Sequence, residues 1–268
     1  MNIEQPFDFQ CDVIEQSHEI PVLADFWAEW CAPCRMLTPL LEKLAEKNSG
    51  RWKLQKINTG EYPDLAVRYK VKGIPNVKLF VKGVVVDEFS GALSEYQIEE
   101  WLKKAVPSPY EKEIALAADF VFQGKPRTAL SLLEGVLQKE PDNLQALALL
   151  VRVKLFAHPD EALRLSLKFE SEPEYAELAG TIRTLGRLIM LDQERLPDDE
   201  VRNDYLVATE KLRLENFDGA LEAFTGIIRR NRFYDDDGSR KACIAIFRYL
   251  GEEHEISRKH RKAFDRAF

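Results

Sequence analysis

The feature that most constrains the fold is a pair of cysteines, Cys31 and Cys34, between an apolar run and a helical pattern. The run from Val22 to Trp27 is typical of a buried central strand. From Cys34 to Asn48 apolar residues recur at helical spacing, interrupted by Pro39, where a kink is expected. The pair is therefore predicted to lie at a strand-to-helix turn, with Cys31 at the start of the helix.

This position favours redox chemistry at the pair. A thiolate is the reactive form of cysteine, and the positive end of a helix lowers the pKa of a thiol placed there, so Cys31 is the expected nucleophile. Cys34, one turn into the helix, can attack the mixed disulfide that Cys31 forms, which makes it the resolving thiol. Trp30 offers an apolar surface beside the sulfur, and Pro33 restricts the loop. No cofactor is expected beyond the Cys31–Cys34 disulfide itself.

Two other interpretations of the pair stay open. The cysteines could form half of a zinc site, but the sequence has no second CxxC and no HxxxH to complete a set of ligands, so no metal is expected. They could also lie in a scaffold that performs no exchange chemistry.

The pattern around the pair predicts a mixed sheet covered by helices. Predicted elements after the first helix are a strand at 52–57, a short helix at 63–69, strands at 76–80 and 84–89, and a helix at 94–104. The turn Lys82-Gly83 joins the last two strands as a hairpin. Ser94 is expected to cap the last helix.

Residues 25–34, with the sequence DFWAEWCAPC, closely resemble the signature stretch of the thioredoxin family. The resemblance covers about the first 106 residues and implies an α/β thioredoxin fold. Lys56 matches the buried lysine of the family. The resemblance implies that Asp25 is a buried carboxylate linked to Lys56, that burial raises its pKa, and that it assists proton transfer at Cys34.

Two further segments match the family and imply a substrate groove. Gly73-Ile74-Pro75 resembles its cis-proline loop, which implies that Pro75 is cis and faces the sulfurs while the backbone of Ile74 pairs with an extended substrate strand. Gly91 matches the glycine segment of the same groove. Ala32 replaces the usual glycine of the motif, a change expected to tune the redox potential only modestly. The resemblance favours a protein-disulfide reductase.

The chain is predicted to contain two domains. Pro107-Ser108-Pro109 breaks the first pattern, and helical periodicity without convincing strands follows. We predict a thioredoxin-like domain at 1–106, a linker at 107–110 and an all-α domain at 111–268.

The helical half resembles tetratricopeptide repeats of roughly 34 residues, although an ordinary helical bundle stays possible. The positions that carry this repeat pattern are Gly124, Ala129, Leu133, Val136 and Pro141, and again Ala220, Phe224 and Ile227. The basic tail from Arg240 to Phe268 could cap the array or dock on a partner.

The composition restricts the class of partner. A net charge of −7 disfavours nucleic acid, and the sequence has neither an export signal pattern nor an apolar run long enough to span a membrane. Sparse cysteines indicate a reducing compartment, so a cytoplasmic monomer without a membrane partner is expected. Cys11 and Cys243 are interpreted as buried small apolar residues, and Asp235-Asp236-Asp237-Gly238 as a solvated turn rather than a calcium loop.

A thioredoxin domain joined to degenerate tetratricopeptide repeats resembles the YbbN family, also called CnoX or chaperedoxins. This resemblance implies a holdase-like co-chaperone that binds unfolding or oxidation-prone clients, passes them to the chaperonin or the Hsp70 system, and is recycled by a thioredoxin-type reductant. Two alternatives stay open, namely a plain protein-disulfide reductase whose repeats select partners and a structural adaptor.

Overall fold

The chain divides between Pro109 and Tyr110 into two compact units. The computed structural model describes residues 7–267. Phe268, the last residue of the predicted basic tail, lies outside the described residues.

The described part of the first unit is a mixed sheet of four strands with helices on both faces, as predicted. Its strand order is β2-β1-β3-β4, with β1 parallel to β2 and antiparallel to β3. The elements are a π-helical stretch Gln10–Glu15 that continues as α1 (Gln16–Glu19), β1 (Val22–Trp27), α2 (Ala32–Lys47), β2 (Lys53–Asn58), α3 (Pro63–Arg68), β3 (Asn76–Val81), β4 (Val84–Ser90) and α4 (Glu95–Ala105).

Alternation along β1 divides the core of this unit into two layers. Val22, Ala24 and Phe26 pack on the face that carries the first helix and α3, while Leu23 packs on the opposite face, under α2 and α4. Successive side chains of a strand point to opposite faces, so Asp25 shares the face of Leu23. This alternation brings a carboxyl group beneath α2.

Local signals fix the ends of the elements. Lys82 and Gly83 both have positive φ, at 53° and 81°, which suits the tight turn of a hairpin whose strands twist to the right. Ser94 and Gln97 form a capping box at the start of α4, each side chain bonding to the other residue's backbone N–H. The predicted hairpin and cap are thus confirmed.

The second unit is helical throughout its described part. Its elements are α5 (Glu111–Phe122), α6 (Pro126–Lys139), α7 (Leu144–Lys154), α8 (Pro159–Ser166), α9 (Ala176–Ile189), a 3-10 turn Gln193–Arg195, α10 (Arg202–Arg213), α11 (Phe217–Arg230), α12 (Tyr234–Leu250) and α13 (Glu255–Asp265). Helices adjacent in sequence pack on each other, and α12 packs on both α9 and α11.

The α5/α6 and α10/α11 hairpins share the same turn geometry and the same pattern of buried positions. Both turns contain one residue of positive φ, Gly124 at 68° and Glu215 at 55°. In both, the next amide bonds five residues back, from Lys125 N to Phe120 O and from Asn216 N to Lys211 O. These are the bonds of a Schellman helix end. The repeat positions of the second helix are buried in both copies, namely Ala129, Leu133 and Val136 and their counterparts Ala220, Phe224 and Ile227.

The comparison of the two turns predicts that Glu215→Gly stabilises the second unit by about 1 kcal/mol, because a side chain at positive φ carries a steric cost that glycine avoids. Gly124→Ala is the reciprocal change and is expected to destabilise by a similar amount. Urea unfolding followed by far-ultraviolet circular dichroism measures both. A loss of stability in Glu215→Gly would contradict the assignment of a strained, left-handed backbone to Glu215.

The run of acidic residues at the start of α12 is a structural centre. Asp235, Asp236 and Asp237 all adopt left-handed backbone, with φ of 50°, 56° and 61°. The Asp235 carboxylate accepts a hydrogen bond of 2.5 Å from the hydroxyl of Tyr205 on α10 and pairs with Arg187 on α9 at 2.9 Å.

The side chains of Asp235 and Asp237 are only 16% and 15% exposed. The prediction of a solvated turn is therefore wrong for these two residues, because their charges are matched by arginines of the unit itself. Asp236 alone points outward. Through Asp235 the run connects α12 to α9 and α10.

The C-terminal helix α13 packs on its own unit. Phe264 lies in the core, and the ring nitrogen Nε2 of His260 is 2.8 Å from the carboxylate of Asp218 on α11. Both contacts fit a helix that covers the end of the array.

Candidate functional site

Cys31 and Cys34 form a disulfide at the start of α2. Their Cα atoms are 5.3 Å apart and both side chains are almost fully buried. Cys31 is the N-cap residue of the helix, and its Sγ accepts a hydrogen bond of 3.2 Å from the N–H of Cys34. When the disulfide opens, negative charge on this sulfur meets that N–H and the positive end of the helix, both of which favour the thiolate.

The helix below the disulfide is anchored by its apolar face. Leu37, Leu41 and Leu44 recur at helical spacing and are fully buried against the sheet. Pro33 lies in the first turn, where a missing N–H costs nothing. The cysteines are thus held at the end of a firmly packed helix.

The rim of the site is apolar and partly open. Trp30 is 77% exposed beside the nearly buried disulfide, and Pro33 is exposed as well. Ile74 packs against the two cysteines together with Ala28. A polypeptide approaching the sulfurs would therefore meet an indole and an aliphatic side chain.

The loop before β3 and the end of β4 are joined next to this rim. The peptide bond between Ile74 and Pro75 is cis, as the family resemblance implies. The N–H of Gly91 donates a hydrogen bond of 2.9 Å to the carbonyl of Pro75, and Gly91 itself has a φ of 89°, a conformation that favours glycine. The predicted groove residues Ile74, Pro75 and Gly91 thus lie in connected segments.

Asp25 lies at the centre of β1, beneath α2, with its side chain fully buried. Its Oδ2 accepts a hydrogen bond of 2.8 Å from the hydroxyl of Thr38, while its Oδ1 has no hydrogen-bond partner within residues 7–267. Burial raises the pKa of Asp25 to about 6, against the lowering effects of the Thr38 hydrogen bond and the Lys56 charge. A carboxyl group with this pKa can exchange a proton near neutral pH.

Lys56 does not take the buried position that the resemblance implies. Its side chain is 46% exposed, and its Nζ pairs with Oε1 of Glu42 at 2.7 Å. The reason is its place on β2, the edge strand of the described sheet, from which a long aliphatic stem carries the ammonium group to water. Lys56 influences Asp25 through its charge, and the hydrogen bond to Asp25 comes from Thr38 instead.

Sequence reasoning missed Thr38, although a signal existed. Thr38 follows Cys34 by four residues, so both residues lie on the same face of α2. That face covers the strand that carries Asp25. A hydroxyl at this spacing, above a buried acidic residue, is a candidate hydrogen-bond donor.

The two other cysteines differ from each other. Cys243 is buried beside Thr225, and burial raises its pKa to about 12. Cys11 is exposed, so the prediction of a buried apolar residue is wrong there; Asp8, through its hydrogen bond and its charge, and Glu15 raise the pKa of its thiol. Cys11 lies in the π-helical stretch, whose buried residue is Val13.

Neither a metal cluster nor a membrane span is found in the part of the chain that the structure describes. Residues 7–267 contain no group of three or more His, Cys, Asp or Glu side chains placed to hold a metal ion. None of the helices within the same range combines the length and hydropathy that crossing a bilayer requires.

Asp25→Asn is expected to raise the free energy of unfolding of the first unit by about 3 kcal/mol at about pH 8 and by almost nothing near pH 3. The pKa of Asp25 is about 6 in the folded state, above its value of 3.8 in an unfolded chain. The wild type therefore loses stability as the pH rises from the unfolded to the folded pKa. Asparagine has no charge to bury and avoids the loss.

Urea unfolding of the oxidised chain, followed by tryptophan fluorescence, measures this effect, because all four tryptophans precede Pro107. The exposed Asp64 provides the control, since Asp64→Asn should change stability by less than about 0.5 kcal/mol. A gain in Asp25→Asn that does not vary with pH would contradict the explanation.

Comparison with known proteins finds two family models that match separate parts of the chain. The family model described as Thioredoxin matches residues 3–104, and one described as Tetratricopeptide repeat matches residues 192–268. The N-terminal part is 38% identical over 108 residues to a thioredoxin of Porphyra purpurea and 36% identical over 98 residues to one of Rickettsia felis. These matches cover 99% and 91% of the relatives, and 40% and 37% of this chain.

A mitochondrial thioredoxin of Mus musculus is 40% identical over 105 residues, which are 39% of this chain. The chain spans 62% of the length of that relative. The likeness to these thioredoxins thus concerns the first unit, and the repeat match concerns the second.

Proposed function

The chain belongs to the thioredoxin family, which its residues 3–104 match, and from this premise we propose that it is a thiol–disulfide oxidoreductase acting on other proteins. The observation that carries the proposal is the Cys31–Cys34 disulfide, with Cys31 as the N-cap of α2 and a buried carboxyl group beneath the same helix. The direction we propose is reduction of substrate disulfides, in the manner of a protein-disulfide reductase.

The reaction begins from the reduced pair. The Cys31 thiolate attacks one sulfur of a substrate disulfide, the substrate S–S bond breaks, and one substrate thiolate leaves. Cys34 then gives its proton to Asp25 and attacks Sγ of Cys31, which breaks the mixed disulfide and releases the second substrate sulfur. Two electrons have passed to the substrate, and the protein holds the Cys31–Cys34 disulfide. A thioredoxin-type reductant returns it to the dithiol.

The apolar rim supports a polypeptide substrate. Trp30 is exposed next to Cys31 and Ile74 packs against the two cysteines, so both offer apolar surface near the sulfurs. The backbone of Ile74 is the proposed partner of an extended substrate strand. Pro33, Pro75 and Gly91 shape the same groove.

For the second unit we propose binding of unfolding or oxidised client proteins. The described part of this unit exposes several large apolar side chains, among them Phe122 at 93%, Phe233 at 77% and Leu214 at 72%. Covalent linkage of a client-binding unit to a redox unit raises the local concentration of client cysteines at Cys31. The resemblance to the YbbN (CnoX, chaperedoxin) family supports a cytoplasmic, monomeric co-chaperone that passes clients to the chaperonin or the Hsp70 system.

The second candidate is a plain protein-disulfide reductase whose repeats only select partners. It is favoured by the intact Cys31/Cys34 pair, which suffices for reduction without any holdase activity. The two candidates share the chemistry and differ in what the helical unit does for an unfolded chain.

One paired assay on the full chain tests both. Insulin reduction by dithiothreitol should be accelerated at least about tenfold by catalytic amounts of the protein. Aggregation of a chemically unfolded client should be suppressed at stoichiometric amounts. A rate no higher than that of dithiothreitol alone would refute the oxidoreductase. Acceleration without suppression, under both reducing and oxidising conditions, would leave the plain reductase.

A further inference from the structure

We propose that Thr38 is a positioning residue for proton transfer at Cys34. Its hydroxyl holds Oδ2 of the Asp25 carboxylate and leaves Oδ1 as the atom that takes the Cys34 proton. The proposal rests on the proposed thiol–disulfide exchange and adds to it a residue outside the Cys31/Cys34 motif.

The first observation is the asymmetry of the two carboxylate oxygens. Oδ2 accepts the Thr38 hydroxyl at 2.8 Å, whereas Oδ1 is buried and has no hydrogen-bond partner within residues 7–267. An unpaired buried oxygen of a carboxylate is costly, and gaining a proton removes much of that cost. The free oxygen is therefore the basic one.

The second observation is that one helix face carries both the donor and the thiol. Cys34 and Thr38 are separated by four residues on α2, so they lie on neighbouring turns of the same face. Asp25 lies on the strand below this face. The hydroxyl thus fixes the carboxyl group relative to the helix that carries the resolving sulfur.

The third observation concerns the charges around Asp25. The nearby groups are Glu42 on α2 and Lys56 on β2, and they pair with each other at 2.7 Å, while the β3 neighbour in register is the apolar Val77. The two charges therefore act on Asp25 in opposite directions. The Thr38 hydroxyl is the direct hydrogen-bond donor to the carboxylate.

Thr38 also keeps the base available. Burial drives the pKa of Asp25 up and the Thr38 hydrogen bond drives it down, with a result of about 6. At this value roughly nine in ten Asp25 side chains are ionised at about pH 7 and can accept a proton. Without the hydroxyl, a larger share would already be protonated.

The test compares Thr38→Val, which keeps the shape of the side chain and removes the donor, with Thr38→Ser, which restores the donor. The primary measurement is the pH titration of the Asp25 carboxyl carbon chemical shift in isotopically labelled full-length protein, assigned by its loss in Asp25→Asn. Thr38→Val should move the midpoint up by about one pH unit, and Thr38→Ser should return it to near the wild-type value.

The second measurement is the pH profile of insulin reduction. The acidic limb in Thr38→Val should move in the same direction as the carboxyl titration, and in the Asp25→Asn background the same substitution should have no further effect on the profile. Thermal unfolding of each variant verifies that it is folded.

Unchanged carboxyl titration in a folded Thr38→Val protein would overturn the proposal, as would a shift that Thr38→Ser fails to reverse. The titration needs no enzymatic activity, so it separates the two proposals. Failure of the wild type to reduce insulin refutes the exchange function and removes the catalytic role of Thr38, whatever the carboxyl group does.

Discussion

Cys31→Ser is expected to abolish the catalysis of insulin reduction, so that the rate falls at least about tenfold, to that of dithiothreitol alone. Serine cannot form the mixed disulfide, and the remaining Cys34 is almost completely buried behind it. In the variant, the Cys34 N–H that donates to the Cys31 sulfur in the wild type faces a serine hydroxyl, which stays protonated and is not a nucleophile. The loss follows from the absence of a nucleophile, because the substitution is small enough to leave the helix start intact.

Cys34→Ser should behave differently. It keeps the attacking sulfur but cannot resolve the mixed disulfide, so a covalent complex with the substrate should accumulate and should be visible on a non-reducing gel. Cys11→Ser is the matched control, because Cys11 is an exposed cysteine outside the site, and it should keep the wild-type rate. Comparable trapping by Cys31→Ser and Cys34→Ser would contradict the assignment of the two sulfurs.

Gly238→Ala is expected to destabilise the second unit by about 3 kcal/mol. A Cβ atom at this position would lie 2.3 Å from the hydroxyl oxygen of Tyr205 and 2.9 Å from Oδ2 of Asp235. Neither atom can move away easily. The Tyr205 side chain is fully buried and its hydroxyl donates a hydrogen bond to Asp235, which also pairs with Arg187. The added methyl group must displace a buried hydrogen-bonded group.

Gly226→Ala provides the contrast within the same unit. Gly226 lies in the interior of α11 with nothing within 4 Å of its Cβ position, so alanine there should stabilise by about 0.5–1 kcal/mol through helix propensity. Tyr205→Phe removes the clashing oxygen and should recover a large part of the loss when combined with Gly238→Ala. Urea unfolding followed by circular dichroism gives all four stabilities. A loss that Tyr205→Phe does not reduce would refute the clash.

Much of the first unit could be predicted because its signals are local. The hairpin follows from a two-residue turn at Lys82-Gly83, and the start of α4 follows from Ser94 and Gln97, three residues apart. The redox pair is equally local, since a CxxC motif between a strand and a helix places both sulfurs at the start of that helix. In each case neighbours in sequence make the contacts that decide the structure.

The errors at Lys56 and Asp235 concern side chains whose surroundings are set by residues distant in sequence. Lys56 could be placed on a strand, but whether its ammonium group turns inward depends on the position of that strand in the sheet. Asp235 looked solvated because its partners, Arg187 and Tyr205, lie 48 and 30 residues away. Charge pairing over such separations leaves no periodic trace in the sequence.

Because Cys243 is buried and Cys11 is exposed, alkylation of the two thiols can measure how often the helical unit opens. The sulfur of Cys243 lies within the packed helices beside Thr225, so an alkylating reagent can reach it only in molecules in which these helices have parted. Cys11 is exposed, so it reacts without any opening of the fold and serves as an internal standard for the reagent. The slow phase of labelling therefore reports the frequency of opening in the intact chain. A client or partner that stabilises the packed helices would lengthen this phase by a measurable factor, without any engineered labelling site.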